Sequence, residues 1–249
     1  MKNKIVVYTG AFGKNYGLVP QKKIEGVDFF CFTDDASKIV SPWKPIELKS
    51  DNPDEGRKNR HPKILPHLYF SEYEISIYID SNYLIVGNIK KLLADLGDFK
   101  FAIFDHNQCS DKRDCVYDEY EALIELGEQR GIHKDSPEIM KKQIEFIKSE
   151  GYPKNNGLIF SAVLIRKHND PKLIELSEKW WEMVSTMSKR DQLSFNYSAW
   201  KTGFTPTIIP GDLRKGNPYF YSLGFVKRNY TTRVIKYRLR KMLGLIKHP

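Results

Sequence analysis

The 249-residue sequence contains few cysteines and no long hydrophobic run. Cys31, Cys109 and Cys115 form no CxxC pair, and their odd number argues against a disulfide framework and predicts reduced structural thiols. About 18 consecutive apolar residues are needed to cross a bilayer, and no stretch approaches that length. Residues 1–4 lead directly into strand-like residues 5–8, so we expect no signal peptide and a cytoplasmic location.

The glycines near the start do not form either common phosphate-binding pattern. Gly10, Gly13 and Gly17 match neither the GxGxxG nor the GxxxxGK spacing, although they suit a loop beneath a nucleotide base. Residues 10–20 also lack arginine, whereas sugar-1-phosphate nucleotidyltransferases usually have a glycine-rich, arginine-containing loop after the first strand. That enzyme class shares the expected sheet topology but is therefore disfavoured.

Acidic residues are missing from the C-terminal tail, residues 227–249, which carries eight lysines and arginines. Subtracting these eight charges from the net charge of +9 leaves +1 for the rest of the chain. The body is therefore nearly neutral, and no recognisable nucleic-acid-binding module accompanies the tail. We expect no nucleic-acid partner.

The tail has the pattern of a basic amphipathic helix. Its apolar positions share one helical face, and basic residues occupy the other. Such a helix either lies in the interface of an anionic membrane or docks on the protein, and the sequence leaves both alternatives open. We divide the chain into a domain of residues 1–225 and a helical extension of residues 226–249, with peripheral contact at the inner face of the membrane as one alternative. The predicted apolar face consists of Ile235, Leu239, Met242, Leu243 and Ile246.

The order of apolar runs predicts a single α/β domain with a mixed, mostly parallel central sheet. Helical spacing and capping residues predict helices between the strands. Pro62 and Pro66 punctuate the first helix, and the two middle helices are expected to form a lid or flank. Strands are predicted at residues 5–9, 29–33, 43–48, 75–80, 101–104 and 158–166, and helices within residues 51–70, 88–96, 118–131, 136–151, 171–187 and 190–201.

The most informative motif is the acidic turn Asp80-Ser81-Asn82, which directly follows an apolar strand. Open α/β sheets bind ligands beyond the carboxyl ends of their strands, where this turn is expected to lie. Asp80 and Asn82 offer hard oxygen ligands that suit Mg²⁺ or Mn²⁺ together with diphosphate oxygens. An Asx turn without a ligand explains the same residues in isolation.

A basic cluster precedes this turn, and it includes Arg60, Lys63 and His67. Arginine forms bidentate contacts with phosphate oxygens, and lysine supplies a point charge, so the cluster suits a diphosphate. A solvated basic surface is the other interpretation.

Two further pairs of polar residues are candidates for sugar or acceptor binding. Asp191 and Gln192 follow Arg190 at the start of a helix, where Asp191 is either a helix cap or an acceptor of hydrogen bonds from sugar hydroxyls. Asp105 and His106 end another predicted strand and are assigned to acceptor or sugar binding.

Five motifs carry a family resemblance: FFCFTDD at residues 29–35, RHPKILPH at 60–67, SIYIDSN at 76–82, RDCVYDE at 113–119 and RDQLSF at 190–195. Together they resemble the glycosyltransferase-like family whose plant members are linked to tapetum degeneration and seed mucilage. That family is related to the family-eight retaining glycosyltransferases. The resemblance covers roughly residues 4–205.

The resemblance implies a GT-A fold and transfer of a hexose-type sugar from a nucleoside-diphosphate sugar, and a UDP-sugar is the expected donor. It implies a glycan or lipid-linked acceptor, retention at the sugar, a role in cell-surface polysaccharide synthesis, and Mn²⁺ or Mg²⁺ as cofactor. If the reaction inverts instead, a carboxylate such as Asp191 has to deprotonate the acceptor. A catalytically inactive nucleotide- or carbohydrate-binding relative is the alternative.

By position, Asp80 and Asn82 correspond to the Asp-x-Asp metal motif of that superfamily, and Asp191 and Gln192 would face the sugar as catalytic residues. The sequence departs from the pattern because Asn82 replaces the second Asp and no late His-x-x-Gly-x-x-Lys element is visible. A weaker or metal-free site is therefore an alternative. The donor-binding residues are assigned as Thr9, Gly10, Asp34, Asp35, Arg60, Lys63, His67, Asp80, Ser81 and Asn82, with Asp34 or Asp35 near the nucleoside.

Overall fold

A seven-stranded mixed sheet forms the centre of the protein in the computed structural model, which describes residues 4–13, 17–48, 54–215, 217–224 and 230–246. The sheet has the order β3-β2-β1-β4-β7-β6-β8, and β5 pairs with β9 in a separate two-stranded sheet. Only β7 runs antiparallel to its neighbours in the large sheet. The strands are β1 (Ile5–Ala11), β2 (Val27–Thr33), β3 (Lys44–Glu47), β4 (Ile75–Ile79), β5 (Tyr83–Ile85), β6 (Phe101–Asp105), β7 (Ile159–Arg166), β8 (Thr207–Ile209) and β9 (Phe220–Ser222).

Seven α-helices surround these sheets within the described ranges. They confirm the predicted α/β class with a mostly parallel sheet. None of them is long and apolar enough to cross a membrane. The helices are α1 (Glu55–Ile64), α2 (Ile89–Leu96), α3 (Val116–Arg130), α4 (Pro137–Ser149), α5 (Pro171–Thr186), α6 (Gln192–Thr202) and α7 (Thr231–Met242).

Alternation along the strands builds one apolar layer on each face of the sheet. Val6 and Tyr8 of β1 point to the face covered by α1, α5 and α6, where Trp180 is fully buried. Val7 points to the other face, which packs against α2 and Trp43. Buried strands with apolar residues on both faces are typical of parallel sheets covered on both sides.

Helix α1 holds the basic cluster and continues through Pro62 to its end. The two prolines had been expected to punctuate this segment, and the structure shows that Pro62 lies in the last turn of α1. There it removes a single helical hydrogen bond, and helix α1 stops two residues later. Asp54 caps the start by accepting hydrogen bonds from the backbone N–H groups of Gly56 and Arg57, at 2.7 and 3.2 Å. The Arg57 guanidinium donates to the Met187 carbonyl at 2.6 Å, so it ties α1 to the end of α5.

Helices α3 and α4 pack as a flank against α6. A flank was one of the two arrangements predicted for them, the other being a lid. Leu123 of α3, Met140 of α4 and Tyr197 of α6 share one apolar cluster. The loop between α3 and α4 also extends toward the cavity described below. All three cysteines are buried and free, in agreement with reduced structural thiols.

The structure contains three strands outside the predicted ranges, β5, β8 and β9. Each has three residues, which is too short for a periodic signal. The two-stranded sheet gives α7 a surface on which to dock: Val234 and Tyr237 of α7 are buried with Leu84 of β5 and with Leu223, which directly follows β9. The domain boundary at residue 225 lies outside the described residues and stays a prediction.

Candidate active site

A polar cavity opens at the carboxyl end of β4, between α1, β7 and the start of α6. The strand order reverses between β1 and β4, so the cavity lies beside the kind of point at which open α/β sheets bind ligands. The cavity is about 180 Å³ in volume. Three cations and two carboxylates line it, so it is strongly polar. The lining residues are Asn59, Arg60, Lys63, Tyr78, Asp80, Ser81, Asn82, Ser161, Arg190, Asp191 and Gln192.

A buried ion pair between Lys63 and Asp191 forms the floor of the cavity. Lys63 Nζ lies 2.6 Å from Asp191 Oδ2, and both side chains are at least 95% buried, with 5% and 3% of their surfaces exposed. The Ser161 hydroxyl donates to the same carboxylate oxygen at 3.1 Å. Lys63 reaches this position because Asn59, Arg60 and Lys63 occupy one face of α1, one turn apart.

The acidic turn follows β4 and shares the cation of this pair. Asp80 Oδ1 lies 3.6 Å from Lys63 Nζ and accepts a hydrogen bond from the Tyr78 hydroxyl at 3.0 Å. The Asp80 side chain is 39% exposed, so its outer oxygen faces the cavity. Ser81 and Asn82 line the same wall, and the structure thus brings the whole predicted turn to the cavity.

Further positive charge surrounds the carboxylates. Arg60 Nη2 is 3.9 Å from Asp191 Oδ1. Arg190 makes no ion pair within 4.0 Å among the described residues, and its guanidinium donates only a long hydrogen bond of 3.4 Å to Gln192. Lys134, on the loop between α3 and α4, has a lowered pKa because of burial and of its proximity to Arg190 and Arg60. The cavity therefore has an excess of positive charge.

The charge state of Asp191 follows from this environment. Burial by itself raises the pKa of a carboxyl group, but Lys63, Arg60 and Arg190 outweigh that effect and hold the pKa of Asp191 well below its ordinary value. Asp191 is a carboxylate at neutral pH. It accepts the backbone N–H of Gln192 at 3.2 Å, so the predicted helix-cap role is confirmed in addition to its place in the cavity.

The start of α6 is held rigidly. The Trp180 indole donates to the Asp191 carbonyl at 3.0 Å, and the Gln192 side-chain amide donates to the Ile159 carbonyl at 2.8 Å. These bonds join α5, α6 and β7 at the cavity floor. Asp191 and Gln192 are therefore fixed before any ligand binds, which is the preorganisation that binding sites require.

The residues assigned to the nucleoside lie at the ends of β1 and β2. Thr9 is fully buried, and its hydroxyl has no hydrogen-bond partner in the described part of the chain. Gly10 allows α1 to come close, since a Cβ there would lie 2.1 Å from Asn59 Oδ1. Asp34 accepts the backbone N–H of Gly13 at 2.9 Å, and Asp35 caps a short 3₁₀-helix at residues 36–38. None of these four residues lines the cavity, and their contact with a donor stays a prediction.

The structure places His67, Asp105 and His106 outside the cavity lining. His67 lies in a 3₁₀-helix after α1, and burial lowers its pKa. Asp105 caps the next turn by accepting the Asn107 N–H at 2.9 Å. His106 is buried and is not among the residues that line the cavity. Their assigned roles in donor or acceptor binding stay predictions that the geometry does not strengthen.

The contacts of His106 also define its protonation. Its Nε2 atom lies 3.1 Å from an Arg113 nitrogen and 3.2 Å from an Arg214 nitrogen. Because guanidinium groups only donate, Nε2 is the acceptor and the ring is neutral. Burial and Arg113 lower its pKa to about 4. His106 is thus occupied by structural hydrogen bonds.

The cavity offers a small share of the ligands that a divalent cation needs. Asp80 supplies one carboxylate and Asn82 one amide oxygen, and Mg²⁺ sites in nucleotide enzymes are often completed by substrate phosphates and water. No three His, Cys, Asp or Glu side chains converge anywhere in the described chain. The pair therefore fits a cation that arrives with a diphosphate, and Lys63 already places a positive charge 3.6 Å from Asp80.

Sequence reasoning had not assigned five residues of this environment to a site. Asn59, Tyr78, Ser161 and Arg190 line the cavity, and Lys134 adds to its charge. The position of Arg190 directly before Asp191 was a usable signal, since it shares the motif. Ser161 and Lys134 carried none, because nothing in their local sequence shows which edge of the sheet they face.

The sequence matches a family model, and the fold is similar to that of a solved structure. A family model described as "TOD1/MUCI70, glycosyltransferase-like domain" matches residues 25–208, a range that contains every cavity-lining residue. Among solved structures, the chain is similar to the "Crystal structure of a glycosyltransferase involved in the glycosylation of the major capsid of PBCV-1". That similarity has 11% sequence identity and a TM-score of 0.45, and it covers 96% of this chain and 98% of the other. No curated protein matches the chain.

Proposed function

The chain belongs to the TOD1/MUCI70 glycosyltransferase-like family. We propose that the protein transfers a hexose-type sugar from a nucleoside-diphosphate sugar, bound in the cavity, to a glycan or lipid-linked acceptor. The family supports glycosyl transfer in general, and the sheet has the mixed, mostly parallel form expected of a GT-A enzyme. UDP-sugar as the donor, retention at the sugar and a role in cell-surface polysaccharide synthesis are the finer parts of the proposal.

One observation carries this proposal: an excess of buried positive charge beside the acidic turn at the switch point of the sheet. Arg60, Lys63 and Arg190 line the cavity, and only Asp80 and Asp191 offset them there. A diphosphate supplies the missing negative charge and accepts hydrogen bonds from guanidinium groups. In this arrangement the diphosphate and the sugar occupy the cavity, and the nucleoside extends toward the ends of β1 and β2.

Retention is supported by the charge state of Asp191. An inverting transferase needs a general base whose pKa lies near the operating pH. Asp191 is paired with Lys63, and its pKa is far below that range. A retaining reaction depends instead on stabilising the departing diphosphate, which fixed cations in a buried site do well. In this proposal Lys63 and Arg190 stabilise the leaving group, while Asp191 orients Lys63 and faces the sugar.

The experiment that tests the function is calorimetric titration of nucleoside diphosphates and their sugars, with Mn²⁺, with Mg²⁺ and with chelator. We expect one diphosphate to bind at micromolar concentration, and we expect mass spectrometry to detect transfer or hydrolysis of the matching sugar. Absence of binding under all conditions would contradict the proposed donor class. Binding without any turnover would support the inactive relative instead.

The same titration tests the proposed cofactor. Asp80 and Asn82 would hold Mn²⁺ or Mg²⁺ together with the diphosphate, and the cation would offset the charge of the leaving group. We expect chelator to weaken diphosphate binding by about tenfold or more, equivalent to roughly 1.4 kcal/mol. Asp80→Ala should remove this metal dependence. Equal affinity with metal and with chelator would show that the protein's own cations suffice.

Arg190 provides a test of the diphosphate position. Arg190→Met keeps much of the side-chain volume and removes the charge, so diphosphate affinity should fall by about 10- to 100-fold, as expected for hydrogen bonds to a charged group. Affinity for the nucleoside without phosphates should not change. Arg238→Met, at an exposed arginine of α7, is the matched control and should bind like the wild type. An equal loss for nucleoside and diphosphate would refute the assignment.

A further inference from the structure

Helix α7 leaves a stripe of large apolar side chains in solvent. Ile235, Leu239, Met242 and Leu243 are 51%, 50%, 76% and 66% exposed. At 3.6 residues per turn these positions fall on one side of the helix, opposite Val234 and Tyr237, which are buried against the domain. The sequence had offered a membrane or an intramolecular contact for this face. The structure shows that α7 docks through Val234 and Tyr237, and that Ile246, which was predicted on the same face as the stripe, packs against the domain beyond the end of the helix.

The stripe is bordered by positive charge. Lys236 and Arg240 flank one side and Arg238 the other, and α7 contains no acidic residue. Those three side chains are exposed and make no ion pair within the described residues. Exposed apolar side chains between basic ones are the pattern of helices that lie in the interface of an anionic bilayer. A second copy of the chain fits poorly, because a symmetric contact would oppose the same cations.

The docked face of α7 is joined to the cavity by a short path. Asn82, a cavity residue, accepts a hydrogen bond at its carbonyl from the Leu223 N–H at 3.0 Å. Strand β5 begins at the next residue and pairs with β9, with Leu84 opposite Tyr221. The Tyr221 ring then packs on Tyr237 of α7, with centroids 4.5 Å apart. The helix and the acidic turn therefore belong to one packed unit.

We propose that α7 docks the protein on an anionic lipid bilayer and so holds the cavity at the membrane surface, facing an acceptor carried by a membrane lipid. The docking rests on α7 alone, whereas the acceptor class rests on the proposed function. A lipid-linked acceptor diffuses in the plane of the bilayer, and an enzyme bound to the same surface meets it far more often than one in solution.

Flotation of the full chain with lipid vesicles tests the docking. We expect binding to vesicles of phosphatidylcholine with phosphatidylglycerol, weakening as salt rises, and little binding to phosphatidylcholine alone. Lys236→Gln/Arg240→Gln should lower the affinity by about 30-fold, since each basic residue near the surface is worth about 1 kcal/mol. Leu239→Ser/Met242→Ser should also weaken it while leaving the charge unchanged.

Matched controls separate docking from general effects of surface change. Ile132→Ser removes a side chain that is 77% exposed elsewhere, and Lys142→Gln/Lys148→Gln removes two exposed charges from α4. Both should float like the wild type. Diphosphate binding should be the same in all variants, so a failed donor titration and a failed flotation are distinguishable. Unchanged flotation of both α7 variants would overturn the proposal. So would a wild-type protein that sediments as a dimer and becomes monomeric in the Leu239→Ser/Met242→Ser variant.

Discussion

Asp80→Ala should lower kcat/KM for sugar transfer by about 10³-fold while the protein stays folded. Loss of a single group that stabilises developing charge typically costs a factor of about 10² to 10³. Asp80 lies at the carboxyl end of β4, beside Lys63, with 39% of its side chain exposed to the cavity. Because it is partly exposed, its removal leaves no buried group without a partner except the Tyr78 hydroxyl. Steady-state kinetics together with thermal unfolding would measure both effects.

Asp28 provides a closely matched control for this experiment. It is 44% exposed, pairs with Lys44 at 2.7 Å and accepts a hydrogen bond from the Tyr73 hydroxyl at 3.0 Å, much like the contacts of Asp80. It lies in β2 near the amino end of the strand, at the opposite edge of the sheet. Asp28→Ala should therefore retain full activity. Wild-type turnover in Asp80→Ala, or equal losses in both variants, would remove Asp80 from the site.

Asp191→Asn should destabilise the protein by about 3–5 kcal/mol, the usual cost of breaking a buried ion pair. The amide keeps the shape of the side chain and can still accept the Gln192 N–H, so the change isolates the charge. Lys63 would then remain buried with Asp80 at 3.6 Å as its carboxylate neighbour, and Arg60 and Arg190 would repel it. Denaturant unfolding measures the loss.

The surface pair of Lys167 and Asp98 is the control for this loss. Its atoms are 2.8 Å apart, nearly as close as in the buried pair, but the Asp98 side chain is 98% exposed. Exposed pairs contribute little because water screens them, so Asp98→Asn should leave the unfolding midpoint almost unchanged. A small loss in Asp191→Asn would show that the three cations are not held by this carboxylate.

The same variant predicts a pH dependence with a defined sign. The folded-state pKa of Asp191 lies below the ordinary value of 3.8, so its contribution to stability is complete above that pH. The contribution is lost as the pH falls from there through the folded-state pKa. The difference in unfolding free energy between wild type and Asp191→Asn should therefore be constant near neutrality and shrink below about pH 4. A difference that grows on acidification would contradict this assignment.

Most elements of the fold were predictable from local patterns. The apolar runs that became β1, β2, β4, β6 and β7 are long enough to show their type, and α4 to α6 have capping residues at their starts. The failures have physical causes. Strands β5, β8 and β9 have three residues each, and they form because tertiary packing gives each a strand to pair with: β5 pairs with β9, and β8 pairs with β6. Pro62 lies inside the last turn of α1, and the helix ends only before Pro66, which disfavours a helical backbone at Leu65.

The candidate site was predictable in part. Asp80, Asn82 and Asp191 follow recognisable motifs, and the structure brings them together as expected. The sequence could not show that Lys63 pairs with Asp191, since these residues are 128 positions apart and meet only when α1 packs against α5 and brings Lys63 to the start of α6. Nor could the sequence show that Arg60 lines the cavity and His67 does not, because the two residues belong to one basic cluster along the chain.

The sequence by itself determined the class of the protein: the alternation of strands and helices, the acidic turn after β4, the family motifs and the concentration of basic residues in the tail. These are local properties, and they depend on side-chain type and spacing along the chain. Only the tertiary structure decided which charges are buried together and which face of α7 stays in solvent. Both depend on the packing of distant segments, which sets the solvent exposure of each group and hence its pKa and its availability to a ligand.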